Sequence, residues 1–201
     1  MNKYVFLFFC TVLIFAEQEV IYSKPGQSVI GNRLVELILK SKNADLCFYN
    51  FTLFPVAEAI IERQKAVPNF ARLIVNHGFR QEHCEALHYL IENKAGCYAH
   101  NSGSEFSHMH CKFGCLKMQD GKDLVWHGSW NCTGQADLHN VEVVTIMDDK
   151  KVVKDFRFLF KDILNSKGTK IIHSAECIGK LVKGSGAAKI LNKIPPRLWH
   201  R

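Results

Sequence analysis

Residues 108–131, HMHCKFGCLKMQDGKDLVWHGSWN, carry the pattern that decides the architecture. Two β-rich runs, CKFGCLKM (111–118) and LVWHGSWN (124–131), flank QDGKD, whose Asp-Gly pair is a strong hairpin signal. Upstream, short strands at 44–52 (ADLCFYNFT), 71–76 (ARLIVN) and 97–101 (CYAHN) alternate with helical stretches. The first helix, 28–42, follows a Pro-Gly entry and places apolar residues at 29, 30, 34, 35, 37, 38 and 39. The second, 55–66, begins with proline in the favourable first turn, and the third, 82–96, is closed by Gly96. Downstream, VEVVTIMDD (141–149) is a further strand. KVVKDFRFLFKDIL (151–164) is an amphipathic helix with Val152, Val153, Phe156, Phe160 and Ile163 on one face. Strands alternating with helices and then giving way to a hairpin predict a single α/β domain, its mixed β-sheet flanked by helices on both faces. No internal repeat is present.

Composition agrees with one globular domain. The chain has 201 residues, 47% hydrophobic and 22% charged, enough for one core and too short for two comfortable ones. Its formal net charge is +7. Residues 166–201 hold eight Lys/Arg against the single acid Glu176, so this basic C-terminal extension carries as much net charge as the whole chain. Such an appendage on a near-neutral body favours phosphate-rich partners, nucleic acid or anionic lipid, and a merely solubilising end is the plain alternative. The N-terminus, 1–23, has a basic start and an apolar run from Tyr4 to Ala16. That run is short for a bilayer span and fits a signal peptide, although Ile14 and Ala16 make a poor cleavage site, so an N-terminal anchor is the alternative. The expected location is therefore exported (bacterial periplasm or secreted) or anchored to a membrane through this segment. Seven cysteines follow the leader, an odd number without a regular framework, which does not read as a disulfide scaffold.

His108, His110, Cys111 and Cys115 suggest zinc by residue type, but strand alternation separates them. His108, His110 and Lys112 fall on one face, Cys111 and Cys115 on the other, and a lysine ammonium among the ligands repels a cation. No metal and no cofactor are expected. The same alternation brings the His110 imidazole and the Lys112 ammonium together, and the hairpin returns Ser129 and Asn131 alongside them. An imidazole nucleophile with fixed donors for non-bridging oxygens suits attack on a phosphodiester.

HCK at 110–112, GSWN at 128–131 and TGQADLHNVE at 133–142 resemble the phospholipase D superfamily. The likeness is greatest to its small members with a single HKD motif, bacterial phosphodiester endonucleases and the mitochondrial cardiolipin hydrolase group. It extends over about residues 28–165, within a catalytic domain placed at 24–165. The resemblance implies the phospholipase D/nuclease fold and a metal-independent phosphodiesterase. By position, His110 matches the nucleophile that forms a covalent phosphohistidine and Lys112 the phosphate-binding lysine. Ser129 and Asn131 match the Gly-Ser-x-Asn partners, and Glu142 the acid that orients the imidazole. His108 is expected on the rim of the substrate pocket. The family's aspartate, five residues after the lysine, is replaced here by Lys117, with Asp120 and Asp123 in the extended hairpin as stand-ins.

Because the family uses two HKD motifs per active site and this chain has one, the resemblance implies a homodimer that shares one site. The expected substrate is nucleic acid, single-stranded DNA or RNA, cleaved with little sequence selectivity. A phospholipid substrate and a non-catalytic nucleic-acid-binding relative are the rivals. Of the remaining residues near the motif, Trp130 and Phe113 read as packing groups, with base stacking the alternative for Trp130. Cys111 and Cys132 read as buried fillers, and His127 and His139 as surface residues.

Overall fold

The structure is a computed structural model that describes residues 16–77, 84–103 and 108–173. The strands are β1 (Gln18–Ser23), β2 (Ser41–Phe48), β3 (Ala71–Asn76), β4 (Gly96–His100), β5 (Lys112–Met118), β6 (Asp123–Gly128), β7 (Glu142–Met147) and β8 (Thr169–Ile171). The helices are α1 (Val29–Leu39), α2 (Phe54–Ala66), α3 (Glu85–Glu92), α4 (Gly134–His139) and α5 (Lys150–Asn165). All eight strands form one sheet, ordered β1-β7-β6-β5-β2-β3-β4-β8. Strands β2, β3 and β4 run parallel, joined by helical crossovers. The hairpin strands β5 and β6, with β7 and β1 beyond them, extend the sheet antiparallel on one side. Strand β8 closes the other edge antiparallel to β4. The sheet is thus mixed, and the domain is α/β.

Alternation along the strands divides the core into two layers. Leu46, Phe48, Leu73, Val75, Leu116 and Trp126 meet Ile30, Leu34, Val56, Ile60, Leu87 and Leu90 of α1, α2 and α3. On the opposite face Cys47, Ile74, Phe113, Cys115 and Val125 pack on Val153 and Phe160 of α5. Helices therefore cover both faces, as the sequence periodicity predicts. Each fully buried large side chain contributes about 1.5–3 kcal/mol by leaving water. Phe48, Trp126 and Trp130 add edge-on ring contacts at 5.5–6.1 Å. This aromatic cluster underlies the sheet end where the HCK and GSWN segments meet.

Four elements depart from the sequence expectation. Residues 18–23, given above to the leader, form β1, paired with β7 from Gln18↔Met147 to Ser23↔Glu142. An edge strand hides its signature: Val20 and Tyr22 are exposed, and Ile21 alone among its large apolar residues packs on the core. Its charge is tied down by Arg33 of α1, which binds Glu19 at 2.7 Å. Helix α3 ends at Glu92 with Asn93 as its cap, not at Gly96, because Lys94 takes the left-handed turn (φ 59°). Gly96 instead opens β4, where a Cβ would lie 3.0 Å from the Ala71 carbonyl oxygen. Strand β8 lies in what the charge pattern assigned to the basic extension. The fourth is α4, capped by the Thr133 hydroxyl accepting from the Ala136 N–H at 3.1 Å. Residues 1–15, with nearly all of the apolar leader, and 174–201, with most of the basic extension, lie outside the described residues. No helix among the described residues is long and apolar enough to cross a membrane.

Candidate active site

The sheet places the motif residues at one end. Lys112 is the first residue of β5, opposite Phe48 at the end of β2. Ser129 follows β6 and Glu142 opens β7. The approach to Lys112 is fixed by Met109, which is buried in the α5-side core and whose N–H donates to Asn76 Oδ1 at 3.0 Å. Burying Met109 leaves its neighbours His108 and His110 exposed. Trp130 does the same on the facing segment: it is wholly buried, so Ser129 and Asn131 point away from it. That burial removes base stacking as a role for Trp130.

Lys112 is 8% exposed. Its Nζ lies 3.1 Å from Nδ1 and 3.3 Å from Nε2 of His110, and donates to the His110 carbonyl oxygen at 2.8 Å. Partial desolvation of the ring, although the residue is exposed, pushes the His110 pKa below its ordinary 6.5, with further lowering from the charges of Lys112 and His108. The neutral form of the ring is thereby favoured. Burial also lowers the Lys112 pKa, opposed by the negative charge that Cys111 and Glu142 can carry. The ammonium is held in a partly desolvated place, where its interaction with a phosphate oxygen is strengthened.

Across from this pair, Glu142 accepts from the Ser129 hydroxyl through Oε2 and from Asn140 Nδ2 at 2.9 Å through Oε1. Its described hydrogen bonds therefore go to Ser129 and Asn140, and it reaches Lys112 through its field. The Ser129 hydroxyl also accepts from the Val143 N–H at 3.1 Å, locking the start of β7 to the end of β6. Gly128 makes that approach possible, since a Cβ there would lie 2.1 Å from the Val143 carbonyl oxygen. Asn131 Oδ1 accepts from the Asn50 N–H at 3.4 Å, so its side chain faces the loop after β2. His108, exposed at the rim, is 5.9 Å in ring separation from Tyr49.

Tyr49 has no signal in the motifs yet stands at the centre. Its ring is 4.7 Å from that of His110, and Lys112 Nζ lies 5.4 Å from its centroid. The available signal is positional: it directly follows a strand of the parallel half, where ligands of open α/β sheets gather. Asn76 and Asn140 are likewise missed, because each acts by holding another residue of the site. Asp137, in the TGQADLHNVE stretch, is 2% exposed and caps α1, accepting from the Ser28 hydroxyl and from the Gly31 N–H at 3.0 Å. Gly31 is small for this reason, since a Cβ would meet Asp137 Oδ1 at 2.6 Å.

Lys117, at the family's aspartate position, pairs across the hairpin with Asp123 at 3.3 Å, and Asp123 binds Arg157 of α5 at 2.7 Å. Asp123 therefore ties the hairpin to α5, far from His110. Asp120 turns the hairpin by accepting from the Lys122 N–H at 2.9 Å. His127 is half-buried, not a surface residue, and stacks on Phe156 at 5.1 Å. Cys132 is buried, whereas Cys111 is half-exposed, so the buried-filler reading holds only for the former. Among the described residues no three His, Cys, Asp or Glu side chains converge as metal ligands.

The family described as "Cardiolipin synthase, PLD-like domain" matches residues 34–164. Among solved structures, the chain is similar to Nuc from Salmonella typhimurium, a phospholipase D family member. The TM-score there is 0.65 at 19% identity, covering 80% of this chain and 100% of that one. NucT from Helicobacter pylori aligns with TM-score 0.59 at 17% identity over 76% of this chain and 98% of that one. Phosphatidylserine synthase from Haemophilus influenzae aligns with TM-score 0.57 at 14% identity, covering 90% of this chain and 47% of that one. A search of curated protein sequences gives no match. With the family match spanning well over half of the chain and the fold agreeing throughout, the protein belongs to the phospholipase D superfamily and is an enzyme of the phosphodiesterase type.

Proposed function

We propose that the protein is a metal-independent endonuclease that cleaves nucleic-acid phosphodiester bonds through a phosphohistidine at His110. The observation that carries this reading is the contact of the His110 ring with the buried ammonium of Lys112, beside the Ser129–Glu142–Asn140 chain. A neutral ring nitrogen of His110 attacks phosphorus while Lys112 and the Asn131 amide hold the non-bridging oxygens as charge accumulates, and Ser129 joins them by turning its proton away from Glu142. The leaving oxygen departs with a proton from His110 of the partner subunit. Water then attacks the phosphohistidine, the same partner imidazole takes the water's proton, and His110 is freed. Glu142 fixes Ser129 and biases the local field toward the charged form of Lys112.

A single His-x-Lys set per chain supports a homodimer that completes the site across a two-fold axis. Exposed Val141 and Val143, at 76% and 47%, lie beside Glu142 and offer apolar area for such an interface. Nucleic acid is supported by the +7 charge, concentrated in the C-terminal extension. His108 and Tyr49 line the rim where a strand would enter. The leader is proposed to export the protein or hold it at a membrane.

A phospholipid substrate is the second reading, favoured by the family's description as a cardiolipin synthase-type domain. Incubation with labelled single-stranded DNA, RNA and cardiolipin vesicles, with and without EDTA, decides between them. The endonuclease reading expects chelator-resistant cleavage of nucleic acid that His110→Asn abolishes. Turnover of vesicles alone would replace the substrate, and loss of cleavage in EDTA would overturn the mechanism.

A further inference from the structure

Cys111 stands between His110 and Lys112 and takes no part in the proposed chemistry. It is half-exposed and packs against the buried cluster that contains Cys47. Cys47 is fully buried near the end of β2, its Sγ 3.3 Å from Sδ of Met109. The ladder pairs Cys47 with Phe113 and Phe48 with Lys112, so Cys111 is the next diagonal neighbour of Cys47 on the same sheet face. Diagonal neighbours of antiparallel strands are about 7–8 Å apart. That lies just beyond what a disulfide spans, roughly 4.4–6.8 Å between Cα atoms, so the bridge requires the backbone at Cys111 to move. Cys111 precedes the first residue of β5, so the ladder does not pin it, and a small inward movement closes the gap.

The two thiols are chemically unlike. The neighbouring Cys47 thiol and the nearby Lys112 ammonium bring the Cys111 pKa down to about 7, against the opposing effect of burial. Cys47 is pushed strongly up by its neighbour Cys111 and by burial. A half-exposed thiolate backed by a buried thiol is the arrangement of an oxidation-sensitive pair. Cys115, on the same sheet face, is not a rival: it is buried and its thiol is pushed up to about 12.

We infer that Cys47 and Cys111 form a reversible disulfide, driven by a peroxide, that disables the His110–Lys112 site. The Cys111 thiolate attacks one peroxide oxygen, the O–O bond breaks, and the departing hydroxide gains a proton to become water. The product is a sulfenic acid. The Cys47 thiol then attacks its sulfur, the S–O bond breaks, and the oxygen leaves as a second water with the thiol proton. Two thiols are oxidised and one peroxide is reduced. The bond draws Cys111 toward β2, turning the residues on either side of it, His110 and Lys112, away from their contact over Tyr49. The bridge is independent of the function proposed above, whereas its effect on turnover rests on that reading.

The test treats the intact protein with hydrogen peroxide, alkylates the remaining thiols and maps the peptides by mass. In parallel, phosphodiester cleavage is measured before oxidation, after it, and after dithiothreitol. The expected result is a Cys47–Cys111 linked peptide and a loss of cleavage of about tenfold or more, restored by the reductant. Cys47→Ala and Cys111→Ser should each prevent both the link and the reversible loss. A Cys47 that stays alkylatable, or links to Cys115, overturns the bridge. A bridge that leaves cleavage unchanged overturns the switch. A reduced protein with no cleavage at all overturns the function proposed above, and the peptide map still decides the bridge.

Discussion

At the scale of single residues, the proposed site rests on an imidazole whose neutral form is favoured beside an ammonium. Partial desolvation is the larger cause of the lowered His110 pKa, and the Lys112 charge is the next. Replacing Lys112 by Met should therefore raise the His110 pKa without returning it to 6.5, because the desolvation and the His108 charge remain. Histidine NMR titration checks this, and an unchanged or lower value would contradict the arrangement. In the wild-type enzyme the acidic limb of kcat/KM should fall below 6.5, since activity is lost as pH drops through the depressed pKa and the nucleophile becomes protonated. The His110–Lys112 contact was legible in sequence because strand alternation puts both on one face. Tyr49 was not, because ring contact with His110 is a property of packing that no spacing expresses. Glu142 illustrates the same limit: its place in the motif was readable, but its hydrogen bonds to Ser129 and Asn140 were not.

At the scale of elements, two close contacts hold the site's framework. Gly128→Ala would push a methyl group into the Val143 backbone and separate β6 from β7, costing about 1–3 kcal/mol. Urea unfolding should show this as a lower midpoint, with cleavage falling more than stability because Ser129 moves with the strand. Asp137→Ala would leave the Gly31 N–H unpaired at the start of α1, also costing about 1–3 kcal/mol in the same measurement. An unchanged midpoint in either variant would refute the role given to that contact. The strands and helices of the central sheet were legible because their apolar periodicity is complete. Strand β1 was not, since an edge strand exposes Val20 and Tyr22 and follows directly on an apolar leader. The close of α3 was misplaced because Lys94, not a glycine, takes the left-handed turn.

At the scale of the whole molecule, the fold puts one catalytic end on a body whose excess charge lies mainly in its C-terminal extension. Because β8 ends at Ile171, a truncation that tests the extension should come after His173 and leave the sheet intact. Removing residues 174–201 should weaken single-stranded DNA binding and reduce the slope of log affinity against log salt, as fewer phosphates are neutralised. An unchanged slope would leave the extension without a binding role. Sedimentation should find a dimer, and mixing wild-type with His110→Asn chains should give hybrid dimers with one functional histidine and little activity. Activity that tracks the wild-type fraction linearly would mean that each chain acts alone.

The central claim is a covalent bond between phosphorus and His110. It is tested most directly by acid-free denaturing quench of the enzyme during turnover of a labelled phosphodiester, followed by peptide mapping. The account predicts alkali-stable, acid-labile label on the peptide containing His110, formed equally in EDTA and absent from His110→Asn. Cleavage that proceeds at full rate with no label on that histidine, or with label on another residue, would contradict it.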